Sequence, residues 1–174
     1  PQDGVDMGKG VKWARWNYGV KKKTGEYGRY LAWGDLAEKD SYTQGSYNNN
    51  LNGVSSEDEL LASNKFPDEN DVVKQTWGKA EGVEHEWRMP TAGEIATLLN
   101  WCDYQWTTEG GVDGIKLTSK INGNTLFFPA GGYKEGSSTK SDNCGRYWSS
   151  SPIAIGDDDK LKNFATMLGF DNPS

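Results

Sequence analysis

Thr91-Ala92-Gly93-Glu94 writes a helix start into this chain. The Thr91 hydroxyl is placed to accept from the Glu94 backbone N–H, and the Glu94 carboxylate to reach back to the Thr91 N–H, a reciprocal capping box. Pro90 lies just outside it. Ile95, Leu98, Leu99 and Cys102 follow at i, i+3, i+4 and i+7, which predicts one buried helical stripe ending at Cys102. Because its capping position accounts for Glu94, the carboxylate is not needed as a catalytic acid. The wider run W-R-M-P-T-A-G-E, from Trp87 to Glu94, is matched in weight by Y-W-S-S-S, from Tyr147 to Ser151, an aromatic pair ahead of a serine-rich stretch. Neither run holds a nucleophile–base pair or a metal cluster.

Around that helix the pattern is mostly extended. Val11 to Val20 alternates and reads as a strand closing in a turn at Asn17–Gly19; Lys21 to Gly25 is a turn; Tyr27 to Trp33 reads as a second strand. The polar stretch from Glu38 to Asn64 is a long loop with a short helix at Ser56 to Ala62, started by Ser56. In Asp68-Glu69-Asn70-Asp71 the oxygen-bearing side chains are crowded, but not at EF-hand spacing. Asp71 or Asn70 is better read as the cap of a short helix carrying Val72, Val73 and Trp77. After Trp106 the chain turns to β-structure: Ile115 to Lys120 and Thr125 to Pro129 flank Asn122-Gly123, which predicts a type I′ hairpin turn. Lys134 to Asn143 reads as a polar loop. Tyr147 to Ser150 is a short central strand, and Phe164 to Phe170 is a last one, with Phe164, Thr166, Leu168 and Phe170 on one face.

The 174 residues suit one domain spanning 1–174, large enough to bury a core without staples or metals. Only 34% of them are apolar, while Gly 22 and Trp 8 are high, so large aromatics among loops must supply much of the buried area. The net charge of -6 argues against a nucleic-acid partner, which requires a basic stripe. The one basic cluster, Lys21-Lys22-Lys23, reads as a solvated turn. No window is apolar enough to span a membrane, so no membrane insertion is expected. Pro1 at the start, with no leader-like run after it, is the expectation for a mature or trimmed product. Cys102 and Cys144 lack metal or redox spacing, and either a single disulfide or two free thiols is compatible with them. The lone His85, between Glu84 and Glu86, reads as a surface residue rather than a catalytic base.

In chain order, the motifs D-M-G-K-G-V-K-W-A (from Asp6), Y-G-R-Y-L-A-W-G-D (from Tyr27), D-E-N-D (from Asp68), W-R-M-P-T-A-G-E (from Trp87), L-L-N-W-C (from Leu98) and W-T-T (from Trp106) are followed by two more. These are G-I-K-L-T-S-K-I-N-G-N-T-L-F-F-P-A-G-G-Y (from Gly114) and Y-W-S-S-S (from Tyr147). In this order and over nearly the whole chain, the sequence resembles the C-type-lectin-like domains of surface, lipoprotein and fimbrial tip proteins of gut bacteria. These are also called the major paralogous domain, and they share a fold with formylglycine-generating enzymes and retroelement-diversified variable proteins. The resemblance implies an α+β fold, a small twisted antiparallel sheet with packed helices and long loops. Members usually continue to a final strand with a V-R-P-V-like ending; this chain stops at Asn172-Pro173-Ser174, which puts sheet closure in question.

The resemblance further implies a secreted or cell-surface bacterial module displaying C-terminal loops to a surface protein or glycan. Because the fold also hosts enzymes, the expectation of no enzymatic activity rests on the residues: Cys102 and Cys144 are no close pair, and His85 is the lone histidine. The candidate ligand-binding residues are Tyr147, Trp148, Ile153, Asp157, Asp158, Asp159, Lys160 and Asn163. In I-A-I-G-D-D-D, from Ile153 to Asp159, there is no packing period, as expected of an exposed loop. No cofactor is expected: the E-P-N, Q-P-D and W-N-D signatures of calcium-dependent sugar binding are absent, and three consecutive aspartates rarely converge on one calcium ion. Trp16, Trp101 and Trp106 are candidate sugar-stacking platforms if exposed. The alternatives are a structural module of a pilus or lipoprotein, and an oxidase like the formylglycine-generating enzymes, which needs reactive, accessible cysteines. Ligand identity and oligomeric state are not written in the sequence.

Overall fold

A computed structural model describes residues 4–20, 26–46, 63–77, 86–140, 143–152 and 165–173. The architecture is α+β, with short helices among several small antiparallel sheets. Strands β1 (Gly4–Asp6) and β2 (Lys12–Ala14) pair with each other. A 3-10 turn at Gln44–Ser46 and another at Asp68–Asn70 precede helix α1 (Val72–Thr76), and helix α2 spans Ala92–Asn100. A three-stranded sheet follows, β3 (Cys102–Glu109), β4 (Val112–Ser119) and β5 (Thr125–Pro129), in that order. Then come two hairpins, β6 (Tyr133–Glu135) with β7 (Ser138–Lys140) and β8 (Cys144–Pro152) with β9 (Ala165–Asp171).

Both helix starts follow their local chemistry. Thr91 and Glu94 form the reciprocal capping box, and Arg88 braces it with Nη1 at 2.7 Å from Glu94 Oε1 and Nη2 at 2.8 Å from Oε2. Asp71 caps α1 by accepting from Lys74 N at 2.9 Å, and its other oxygen accepts from Met89 N at 2.9 Å. One carboxylate therefore both starts α1 and holds the strand-like entry to α2. Its burial pushes the Asp71 carboxyl above its ordinary value, against the opposing pull of the Lys74 and Met89 N–H groups. Of the acidic run, Asp71 is the cap and Asn70 is not: Asp68 pairs with Lys74 at 2.7 Å, and Asn70 Nδ2 donates to Gly34 O at 2.9 Å.

Several sequence expectations need correction. The helical stripe stops short of Cys102: α2 ends at Asn100, and Cys102 opens β3, paired to Ser119, so β-structure begins before Trp106. Cys102 is still buried, in a core of Val5, Met7, Leu98, Leu117 and Leu126. The type I′ signature belongs to Gly110-Gly111, with φ 58° and 85°, which joins Glu109 to its partner Val112. With no Cβ, both glycines take positive φ values without steric cost. At Asn122-Gly123 only the glycine is left-handed, φ 76°. That turn is longer and is docked elsewhere: the Asn122 and Asn124 side-chain amides each donate to Asp6 O at 2.8 Å. The supposed loop after Lys134 contains the β6–β7 hairpin. The first strand is confined to Lys12–Ala14, before the turn closed by Val20 N to Asn17 O at 3.1 Å.

Tyr27 to Trp33 carries no β-ladder. Its backbone groups are taken individually: Arg29 N donates to Tyr18 O at 2.9 Å and Tyr30 N to Glu38 Oε1 at 3.0 Å. Tyr30 O accepts from Tyr42 Oη at 2.6 Å, and Leu31 O accepts from Trp148 Nε1 at 2.8 Å. Three side chains and one backbone carbonyl satisfy these groups where a neighbouring strand otherwise would. The expected helix at Ser56–Ala62 and the turn at Lys21–Gly25 lie outside the described residues.

Two stability predictions follow from the caps. Asp71→Ala should cost about 2–3 kcal/mol, because it removes a cap and leaves the Met89 N–H without its acceptor; urea denaturation measures it. The Arg88 guanidinium, with help from the Thr91 N–H, lowers the Glu94 carboxyl from 4.5 to about 2. A lowered carboxyl adds stability above its unfolded value and loses it as pH falls through the folded one. The advantage of wild type over Glu94→Gln should therefore shrink between about pH 4.5 and pH 2, read from denaturation midpoints across that range.

Candidate functional site

The missing ladder leaves a cleft. Segment 26–46, β6, and α1 with the entry to α2 all contribute to its lining, and its volume is about 1070 Å³. Its lining is dominated by aromatics, including Trp16, Tyr27, Tyr30, Tyr42, Trp77 and Tyr133. Several are fastened from behind. Tyr30 Oη donates to Gly131 O at 2.7 Å, and burial raises its phenol. Tyr42 is held by its own bond to Tyr30 O, by Lys39 N, which donates to its hydroxyl at 2.9 Å, and by the paired bonds of its backbone with Gly136. Gly131 is required here, since a Cβ would come within 2.9 Å of the Tyr27 ring. Tyr27 and Tyr133 remain 43% and 41% exposed, so their rings face solvent at the mouth of the cleft.

Tyr147 and Trp148 both reach this lining, but each spends its polar end inward. Tyr147 Oη donates to Pro129 O at 2.6 Å and accepts from Asn17 Nδ2 at 3.0 Å. Its ring stacks on Phe170 with centroids 6.1 Å apart and meets Phe128 edge-on at 5.3 Å. Burial drives its phenol far above the ordinary value. Trp148 donates to Leu31 O and packs against the cluster of Trp33, Phe66 and Ala165. The other sequence candidates, Ile153, Asp157, Asp158, Asp159, Lys160 and Asn163, lie between β8 and β9, outside the described residues, as does His85.

The tryptophan platforms separate in the same way. Trp16 is half-buried along the cleft. Trp101 is exposed, but Lys9 Nζ sits 3.8 Å over its ring. Trp106 packs edge-on against Phe170 at 6.2 Å. Cys102 and Cys144 are free, buried thiols, and burial raises the Cys102 thiol, the opposite of an activated thiolate. Among the described residues no helix is long and apolar enough to cross a membrane.

The sequence reading misses the cleft because it puts Tyr27 and Tyr30 on a strand and Lys134 in a loop. The available signal was Y-G-R-Y, an aromatic-rich run broken by glycine and lacking a clean alternation. No protein-family model, curated protein or solved structure matches the chain.

The inward bonding of Tyr147 makes a direct prediction. Tyr147→Phe should keep the ring stack yet leave Pro129 O without its donor and take one of the two acceptors of Asn17 Nδ2, lowering stability by about 1–2 kcal/mol in chemical denaturation.

Proposed function

We propose that this chain is a C-type-lectin-like, non-enzymatic module of the bacterial cell surface or secreted space that binds a surface protein or glycan. The observation that carries this reading is the aromatic cleft with the Tyr27 and Tyr133 rings exposed at its mouth. Rigid amphipathic rings supply contact area at low entropic cost and are the side chains that dominate recognition surfaces. The motif order from Asp6 to Ser151 supports the family assignment. A binding role also fits the use of the polar groups nearby. Asp71 and Glu94 are committed to helix caps, and Ser149 and Ser151 to backbone bonds. The C-terminal residues Ile153, Asp157, Asp158, Asp159, Lys160 and Asn163 belong to this proposal on sequence grounds, as a second contact surface between β8 and β9.

A glycan-array and cell-surface binding screen tests the proposal with three proteins: wild type, a Tyr27→Ala/Tyr133→Ala variant, and a variant with alanine at Ile153, Asp157, Asp158 and Asp159. Wild type should bind, and loss of both cleft rings should weaken binding by about tenfold or more, with the fold intact by circular dichroism. Loss confined to the second variant would move the ligand to the C-terminal loop. Failure of wild type to bind any surface would favour a purely structural module.

A further inference from the structure

The chain has a net charge of -6, yet the cleft reverses that sign. Its lining includes Lys12, Arg29, Lys39, Arg88, Lys134 and Arg146 against Asp35, Glu86 and Glu94. Each of those acids already has a cation. Lys39 Nζ is 2.7 Å from Asp35 Oδ2, in ion-pair contact though off the hydrogen-bond angle; Arg88 holds Glu94; and Lys74 lies 3.2 Å from Glu86. Arg146 turns to Asp171 at 2.9 Å. Lys12, Arg29 and Lys134 have no acidic partner among the described residues. Two of them lie over rings instead. The Arg29 guanidinium is 5.8 Å from the Tyr18 centroid, and Lys134 Nζ is 5.4 Å from that of Tyr30 and 5.9 Å from that of Tyr42. A ring face orients a cation without cancelling its charge, so the cleft keeps cations without acidic partners beside exposed aromatic surface.

The remaining hydrogen-bonding capacity narrows the ligand. The side-chain amide N–H groups of Asn17 and Asn70 and the hydroxyls of Tyr30, Tyr42 and Tyr147 are spent on internal bonds. A polyhydroxylated ligand is held best through charged acceptors, and each carboxylate in the lining already faces a cation, so the cleft offers mainly rings and unpaired cations. A chain of carboxylates and apolar side chains needs only what is there. We infer that the cleft binds an acidic peptide segment, with its carboxylates toward Arg29 and Lys134 and its aromatic or aliphatic side chains on Tyr27 and Tyr133. This inference rests on the ligand-binding reading and specifies its ligand class.

The test is fluorescence anisotropy of the full chain with a labelled short peptide of alternating Glu and Phe. The controls are the same peptide with Gln for Glu, the same with Lys for Glu, and a labelled oligogalacturonate. The acidic peptide should bind, and less tightly as salt rises. The Gln peptide should bind about tenfold more weakly. Arg29→Gln and Lys134→Gln should each weaken the acidic peptide about fivefold or more, while Lys134→Arg retains it, all with unchanged thermal melting. Equal binding of the Gln and Glu peptides would overturn the inference and leave the aromatic ligand-binding reading standing. Preferential binding of the oligogalacturonate would overturn the peptide class. Failure of every peptide would also overturn the inference, and the surface screen would then decide separately whether the module binds anything.

Discussion

The second half of β8 is the strand on which the other segments depend. Between Trp148 and Pro152 its pairing with β9 is interrupted, and the backbone groups released there bond to chain from elsewhere. Ser149 O accepts from Trp33 Nε1 at 2.8 Å, Phe66 N donates to Ser150 O at 2.8 Å, and Ser150 N donates to Pro90 O at 2.8 Å. Ser151 Oγ accepts from Ala92 N at 2.9 Å, in the first turn of α2. Ser149, Ser150 and Ser151 are all but fully buried. Small side chains allow this close approach, and their hydroxyls answer buried donors and acceptors that would otherwise each cost about 1–3 kcal/mol. The strand thus fixes α2, the Trp33 loop and the Phe66 loop around one line.

A run of rings carries the second set of constraints. Trp106 of β3, Phe170 of β9, Tyr147 of β8 and Phe128 of β5 touch in sequence, with centroids between 5.3 and 6.2 Å apart. They join the three-stranded sheet to the β8–β9 hairpin, although the two share no hydrogen-bonded edge. Large aromatics therefore do between sheets what ladders do within them. The same economy of regular structure frees segment 26–46 to form a cleft wall.

What was legible in the sequence is what is decided within one turn of chain. Thr91 and Glu94 cap α2, Asp71 caps α1, and Thr125–Pro129 forms the partner strand to β4, because each depends on neighbours close in sequence or on strict alternation. The misreadings share one cause. Cys102 keeps helical spacing but pairs with Ser119; Asn122-Gly123 has turn chemistry, but its loop is captured by Asp6; and Tyr27–Trp33 has strand composition while its carbonyls go to Tyr42 and Trp148. In each case a distant donor or acceptor overrode a local preference.

The sequence alone determined the starts of α1 and α2, the positions of β4, β5 and β9 with parts of β2 and β8, and the α+β character, since capping and periodicity are short-range. Strands β1, β3, β6 and β7 carry no such local mark. Only the tertiary structure decided which aromatics face solvent. Tyr147 and Tyr133 are equally amphipathic in sequence. One turns inward because Pro129 O and Asn17 lie within reach of its hydroxyl, and the other stays exposed at the mouth of the cleft. Trp148 finds its acceptor 117 residues away, at Leu31. The cleft is likewise a product of folding, because Arg29 and Lys134 come from segments far apart in the chain, brought together by Gly131 packing on Tyr27, the Tyr30 bond to Gly131 O and the backbone pairing of Gly136 with Tyr42.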